Sequence, residues 1–303
     1  MSTTNKDYTE VVHRGIREAR LSTLNPAKRY LDGVTALPPA PILVNKLLAL
    51  FRDPNHDLDQ VVQLIGYDPS LTVQLLRTCN SACFAGEQHT GDIFDAVTRM
   101  GLYQVYCLVV GIYGAQARAM PGADQGVDVK ELWRHSVAAA VAASVVAGKT
   151  GQERTSAFTA GLLHDIGKLV LASTQRGNYA KVCRRAKEEG VALSAVERSA
   201  FAIDHAELGG ELLRRWELPA EIVTPVRFHH DLQASAPHET LTAVVQVGDM
   251  LAHQLFGEDL AKSDMLGAAP DALETLALSP DELPRLLAAA QTELASVNGM
   301  LEM

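Results

Sequence analysis

Apolar residues recur along most of this chain at intervals of three and four positions, which is the period of an α-helix. The segments ILVNKLLALF, DLDQVVQLI and SLTVQLLRTCNSA show this period clearly in the first third. Ala and Leu dominate, only 5% of the residues are aromatic, and short strands do not alternate with helices. The pattern therefore predicts an all-α fold.

Proline, glycine and capping residues divide this pattern into separate helices. In the N-terminal part we expect a helix over 7–20, a rigid connector over 37–41, a helix from about Ile42, and helices beginning near Asp57, Asp68 and Asp92. Beyond them the predicted helices cover about 130–149, 152–173, 177–188, 194–215, 219–229 and 238–255, with a last helix from Ser279 to about 297. The segment between Met120 and Asp128 has the richest loop composition and is the predicted boundary between two bundles.

Composition narrows the class of protein. With 303 residues, 47% of them hydrophobic, the chain can form a large core and two domains. No apolar run reaches the roughly 20 residues of a membrane span and the first residues are polar, so we expect a cytoplasmic protein without membrane contact. The net charge of −9 argues against binding of a nucleic-acid polymer. The scattered cysteines are expected to be reduced thiols.

The segment GLLHDIGK carries the strongest chemical signal. It sets His164 next to Asp165 inside an apolar run that is predicted to be helical. Burial of both side chains without a partner would cost free energy, so a bound metal ion is the first hypothesis. Other candidate ligands lie before and after this segment: His135, His205, His229, His230 and Asp249.

Some of these residues also have ordinary structural interpretations. His229 and His230 end a predicted helix and could interact with its dipole, whereas Asp204 can cap the next helix and leave His205 facing inward. Glu131 lies four residues before His135 and could extend the site, although a surface pair or a cap is the stronger interpretation.

The remaining histidines lack such support and are read as ordinary surface or core residues: His13, His56, His89, His238 and His253.

Imidazole and carboxylate ligands suit iron, manganese, zinc and nickel, and a carboxylate can bridge two ions. Two such ions would lower the pKa of a bound water and offset the charge on a phosphoryl group. Asp165 and Lys168 are therefore candidate catalytic residues. Lys168 could hold a phosphate oxygen, and an equally good interpretation is a helix-end charge that reaches solvent.

Over roughly residues 26 to 255 the chain resembles the HDOD (HD-related output domain) family of the HD metal-phosphohydrolase superfamily. The matching motifs are LPPAPILVNKLLALFRDP, YDPSLTVQLLRTCNSACF, AVTRMGLYQVYCLVV, LWRHS, AGLLHDIGKLVLA, FAIDHAELGGELLRRWELP and VRFHHD. The resemblance implies an N-terminal helical subdomain packed on an HD-type helical bundle, and a role as a regulatory or output module in bacterial signalling. We assign an N-terminal arm to 1–25, the subdomain to 26–120, the metal-binding bundle to 121–275 and a C-terminal helix to 276–303.

The related HD-GYP phosphodiesterases carry metal ligands at the positions of the seven candidate residues. By that similarity, one ion is held by His135, His164, Asp165 and Asp249, and the other by Asp165 as a bridge with His205, His229 and His230. Iron or manganese is the favoured metal, with zinc or nickel as alternatives. The segment HHDLQASAPHETL lacks the Gly-Tyr-Pro triplet of HD-GYP domains, so hydrolysis of cyclic di-GMP is not expected.

Two functional hypotheses follow. The first is a signalling module that binds metal and acts through contact with a protein partner. The second is an active metal-dependent phosphohydrolase acting on a nucleotide or another phosphoester. A third, weaker hypothesis gives the main role to a partner-binding groove in the N-terminal bundle. Since no receiver, sensor or GGDEF-type segment is recognised ahead of the HDOD region, we expect the input through a partner or the N-terminal helix.

Overall fold

The computed structural model describes residues 26–32, 46–47, 49–50, 57–66, 69–81, 84, 90–117, 128–175, 177–256 and 269–301. Within these ranges the regular structure is helical and contains no β-strand, which confirms the all-α prediction. The predicted helix over 7–20, the connector over 37–41 and the loop between Met120 and Asp128 lie outside the described residues. None of the described helices is both long enough and apolar enough to cross a membrane.

The N-terminal helices are α1 (Pro26–Asp32), α2 (Leu58–Gly66), α3 (Pro69–Cys79), α4 (Ile93–Met100) and α5 (Leu102–Ala117). Helices α2, α3 and α4 begin close to the predicted starts near Asp57, Asp68 and Asp92, whereas α1 was not predicted. Asp92 caps α4 because its side chain accepts a hydrogen bond from the Asp95 amide. Gly101 separates α4 from α5 with a φ of 79°, a conformation that favours glycine.

The C-terminal helices form the bundle that carries the candidate site. They are α6 (Val129–Thr150), α7 (Arg154–Leu163), α8 (Ile166–Gln175), α9 (Gly177–Glu189), α10 (Leu193–Phe201), α11 (His205–Arg215), α12 (Ala220–Phe228), α13 (Glu239–Leu255), α14 (Ala269–Thr275) and α15 (Leu283–Leu301). Helix α6 packs extensively against both α7 and α13, which also contact each other. It is the central helix of the bundle.

Two helices predicted as continuous are each broken, and two of the described helices were not predicted. The segment 152–173 forms α7 and α8 with a turn at His164 and Asp165, and the segment 194–215 forms α10 and α11. At the second break Ala202 has a left-handed φ of 62° and Asp204 accepts a hydrogen bond from the Glu207 amide, so α11 starts anew. Helices α1 and α14 are the unpredicted ones. Both breaks lie beside candidate metal ligands.

Small residues bring the helices of the bundle close together. A Cβ atom added to Gly248 of α13 would lie 2.7 Å from the backbone nitrogen of Ala143 on α6. A Cβ atom added to Gly167 of α8 would overlap the carbonyl oxygen of His205. Glycine is therefore required at both positions by the approach of a neighbouring backbone, next to Asp249 and His205 respectively.

One buried apolar cluster extends from the N-terminal helices into the bundle, with Tyr106 of α5 and Phe158 of α7 among its members. Helix α1 packs on α8 and α11, and the Tyr30 hydroxyl donates a hydrogen bond to the Phe201 carbonyl at 2.9 Å. A second cluster joins α6 and α13 to α14 and α15. Of the predicted thiols, Cys79, Cys107 and Cys183 are free, and Cys83 lies outside the described residues.

Candidate metal centre

The fold brings the seven candidate ligands together from different helices and turns. Helix α6 supplies His135, the turn between α7 and α8 supplies His164 and Asp165, and α13 supplies Asp249. The remaining ligands are His205, the first residue of α11, and His229 and His230, which form the turn after α12. These side chains form three groups of possible ligands, and within each group the ligand atoms lie within 4.8 Å of one another. Two of the groups share His135, and one of these includes a further histidine.

Asp165 lies between the two halves of the cluster. Its Oδ2 is 3.3 Å from His164 Nε2, and its Oδ1 is 3.4 Å from His205 Nε2. Asp249 serves one half only, with its Oδ1 at 2.8 Å from His135 Nε2 and at 3.5 Å from His164 Nε2. Both carboxylates are almost fully buried, so each needs positive charge nearby.

Backbone carbonyls orient two of the imidazoles. His164 Nδ1 lies 2.7 Å from the Gly161 oxygen, and His229 Nδ1 lies 2.8 Å from the Val226 oxygen. A carbonyl can only accept, so each Nδ1 carries the proton and donates it. In the neutral ring the lone pair is then on Nε2, the nitrogen that faces the cluster. Metal-binding histidines are commonly oriented in this way.

His205 is oriented by a carboxylate that sequence reasoning missed. Glu197 of α10 is fully buried, and its Oε2 lies 2.6 Å from His205 Nδ1 and 2.9 Å from the His205 amide nitrogen. Its other oxygen accepts a hydrogen bond from the Tyr179 hydroxyl at 2.6 Å. His205 Nε2 is left facing Asp165 and His230, whose Nε2 is 2.9 Å away. No local pattern in the sequence distinguishes Glu197 from a surface glutamate.

His229 provides the test of whether these residues fit a cation. Its Nε2 atom is buried and has no hydrogen-bond partner among the described residues. The rings of His164, His205 and His230 surround it, with centroids at 5.0, 5.4 and 4.0 Å. An unpaired buried acceptor costs about 1–3 kcal/mol. A metal ion at this position would supply the missing partner, and the donor set therefore fits one.

The charges of the cluster also favour a cation. Burial lowers the pKa of His229 to about 3, so this ring stays neutral. Burial opposes the charge on His164, but the carboxylates of Asp165 and Asp249 outweigh it and raise the pKa to about 10. Burial likewise opposes ionisation of both carboxyl groups, yet His164 and its other cationic neighbours hold their pKa values well below the usual range. A metal ion would therefore compete with protons for the nitrogen and oxygen atoms of this cluster.

Lys168 contacts the centre directly rather than only reaching solvent. Its Nζ lies 2.6 Å from Asp165 Oδ2, and its side chain is 22% exposed. Burial opposes its charge, but Asp165 outweighs that effect and raises the pKa of the ammonium group. Lys168 is therefore a fixed positive charge at the edge of the cluster.

Glu131 does not join the cluster. Its side chain is exposed and pairs with the guanidinium of Arg134 one turn further along α6. Its backbone amide donates to Asp128 at the start of the helix. The suggestion that Glu131 extends the metal site is therefore not supported by this geometry, and the surface-pair interpretation agrees with it.

His253 lies in the cluster, although the sequence analysis treated it as an ordinary residue. Its Nε2 is 3.5 Å from Asp249 Oδ1, and its ring centroid is 4.5 Å from that of His135. The available signal was its spacing of four residues from Asp249, which places both on one face of α13. His238 precedes α13, and the other ordinary histidines, His13, His56 and His89, lie outside the described residues.

The structure also contains an open groove on the surface of α3. Val73, Leu76 and Asn80 are among the residues that line it. This groove lies where the third hypothesis places a partner-binding groove, in the N-terminal helices. Binding of a partner there stays a hypothesis.

A family model, that of the HDOD domain, matches residues 37–232. Among curated proteins, an uncharacterized protein of Treponema pallidum is 29% identical over 251 residues, which cover 82% of this chain and 48% of that protein. Ribonuclease Y of Lawsonia intracellularis is 26% identical over 194 residues, which cover 64% of this chain and 30% of that protein. The chain thus spans about half the length, or less, of the curated relatives it matches.

Solved structures share the fold. An HDOD domain protein of Geobacter sulfurreducens superimposes with a TM-score of 0.67 at 24% identity, covering 91% of this chain and 98% of that one. A protein of Marinobacter aquaeolei VT8 that is provisionally assigned to signal transduction gives a TM-score of 0.71 at 24% identity, covering 88% of this chain and 60% of that one. A provisionally assigned phosphohydrolase of Shewanella amazonensis SB2B gives 0.68 at 22% identity, covering 90% and 97%. At these identities the likeness concerns the fold.

Proposed function

This chain belongs to the HDOD domain family, and on that basis we propose that it is a bacterial signalling module whose helical bundle holds a binuclear centre of divalent metal ions. The observation that carries the proposal is the inward orientation of the imidazoles. His164, His205 and His229 each donate through Nδ1 to a protein acceptor and direct Nε2 to the cluster. A bound ion would also be the partner that the buried Nε2 of His229 lacks among the described residues.

The division into two ion sites follows from the position of Asp165. One ion would be held by His135, His164 and Asp249, and the other by His205, His229 and His230. Asp165 would bridge them, because its two oxygens face the two halves. The donors are imidazole and carboxylate groups without thiolate, which favours iron or manganese and also allows zinc or nickel.

In the signalling hypothesis the centre fixes the arrangement of the bundle. An ion at this position would join α6, the turn between α7 and α8, and α13 through their side chains. Metal occupancy would therefore stabilise the surface that a protein partner contacts. The output would depend on whether the centre is loaded.

A phosphohydrolase is the second candidate, and the position of Lys168 favours it. The ammonium group is partly exposed, touches the proposed bridging carboxylate, and could hold a phosphate oxygen of a nucleotide or another phosphoester. When bound, two divalent ions would polarise a phosphoryl oxygen and lower the pKa of a bound water. Asp165 would keep both ions in position.

Metal analysis combined with an activity panel distinguishes these functions. The chain is loaded anaerobically with Fe²⁺ or with Mn²⁺, the bound metal is quantified, and a panel of nucleoside phosphates, an aryl phosphate and a short RNA is assayed. The RNA is included because two of the relatives are ribonucleases Y. The variant Asp165→Asn is compared with Asp59→Asn, a change at an exposed position of α2.

The signalling hypothesis predicts two ions per chain, loss of bound metal in Asp165→Asn alone, and no turnover above background. Turnover that depends on metal and is lost in Asp165→Asn would establish the second candidate. A chain that binds neither metal would overturn both.

A further inference from the structure

The two proposed ion sites leave out one histidine, His253, at the outer edge of the cluster. Helix α13 carries Asp249 and His253 one turn apart, and α6 brings His135 against them. Asp249 Oδ1 lies 2.8 Å from His135 Nε2 and 3.5 Å from His253 Nε2. With His164 Nε2, also at 3.5 Å, three imidazoles converge on this carboxylate oxygen.

This edge of the centre is partly open to solvent. The side chains of His135 and His253 are 13% and 23% exposed, whereas His164 and His205 are each 1% exposed. An ion at this edge would exchange with solvent more readily than one held among buried rings. A further protein ligand would increase the affinity for the ion most at this edge, because fewer neighbouring groups enclose the ion here.

The chemistry of the group matches a known donor set. With His253 added, the outer ion would have three imidazole ligands and the carboxylates of Asp249 and Asp165, and these donor types suit Fe²⁺ and Mn²⁺. Glu131, the other acidic residue on this side of α6, is directed to the surface by its pair with Arg134. His253 is the further imidazole that lies within reach of Asp249 at this edge.

We propose that His253 is an additional ligand of the ion held by His135 and Asp249. The inference rests on the proposed metal centre and names a residue outside its seven ligands. In this account His253 closes the solvent side of the outer ion, and its removal weakens that ion selectively. The inner ion, held by His205, His229 and His230, does not depend on it.

Calorimetric titration with Mn²⁺ tests the proposal on the full chain. His253→Phe keeps an aromatic ring against His135 but removes both nitrogens, and His253→Asp supplies a different ligand at the same place. His238→Phe, immediately before α13, is the matched control. Electron spin echo spectra of the bound Mn²⁺ report the nitrogen couplings of its ligands independently of any activity.

In His253→Phe we expect one class of Mn²⁺ sites to weaken by about tenfold or more, the scale seen when support around a metal ligand is removed. The other class should stay within about twofold, and a set of nitrogen couplings should disappear. His253→Asp should retain much of the affinity, and His238→Phe all of it. If His253→Phe lowers the melting temperature of the metal-free chain, His253→Ala replaces it.

The results distinguish a failure of the proposed role of His253 from a failure of the proposed metal centre. Wild-type chain that binds no Mn²⁺ contradicts the metal centre itself. Wild-type chain that binds Mn²⁺ as tightly as His253→Phe, with the same nitrogen couplings, leaves the centre intact and overturns the role of His253.

Discussion

In three histidines of the cluster, a hydrogen bond from Nδ1 leaves Nε2 as the nitrogen that faces the centre. In His164 and His229 a backbone carbonyl accepts from Nδ1, and in His205 the Glu197 carboxylate does so. A carboxylate partner also makes the opposite nitrogen a better donor to a metal. His205 is therefore the ligand whose strength depends most on a neighbouring side chain.

Replacement of Glu197 by Gln should weaken metal binding at the inner site. The Gln amide keeps the shape of the side chain but removes the negative charge that polarises His205. Its NH2 group also cannot accept, so a hydrogen bond from either His205 or the Tyr179 hydroxyl is lost. We expect a loss of about 10–100-fold in Mn²⁺ affinity, measured by titration calorimetry. Tyr179→Phe should cost less, because it leaves the carboxylate in place.

The control for this change is Glu188→Gln on the exposed face of α9. It should bind Mn²⁺ as the wild-type chain does. Equal affinity in Glu197→Gln, Glu188→Gln and the wild-type chain would show that Glu197 has only a structural role.

At the scale of whole helices, the site depends on breaks and close approaches. Each of the two helices that the sequence pattern predicted as continuous ends where ligands are needed, at His164 and Asp165 and again just before His205. The periodicity could not show this, since the residues around His164 and Asp165 are apolar and contain no proline. Asp204 was recognised as a possible helix N-cap, and an N-cap at this position implies that the preceding helix ends before it.

Gly248→Ala should destabilise the contact between α6 and α13. The added methyl group would meet the backbone of Ala143 at 2.7 Å, so the two helices must separate or deform. Overpacking of this kind costs about 1–3 kcal/mol, and we expect a decrease of that size in the free energy of unfolding in urea. Because Asp249 is the next residue, Mn²⁺ affinity should fall as well.

Gly177→Ala is the matched control, since a Cβ atom there would meet nothing within 4 Å. At this helical position Ala should be neutral or slightly stabilising. A Gly248→Ala variant as stable as Gly177→Ala would show that the helices can adjust without cost.

In the whole molecule, residues spread from His135 to Asp249 meet at one place. The sequence could identify most of them, because a His-Asp pair in an apolar run and histidines near helix ends are conspicuous without any structure. It also led to the HDOD family through its motifs. His253 and Glu197 were missed because their significance comes from packing between helices, which residue spacing alone does not give.

Diffraction data from crystals grown with Mn²⁺ would show whether this cluster binds two divalent cations. We expect two anomalous difference peaks, one among His135, His164 and Asp249 and one among His205, His229 and His230, with Asp165 between them. A map without peaks, in which His164, Asp165 and Asp249 bond only to one another and to Lys168, would overturn the proposed metal centre.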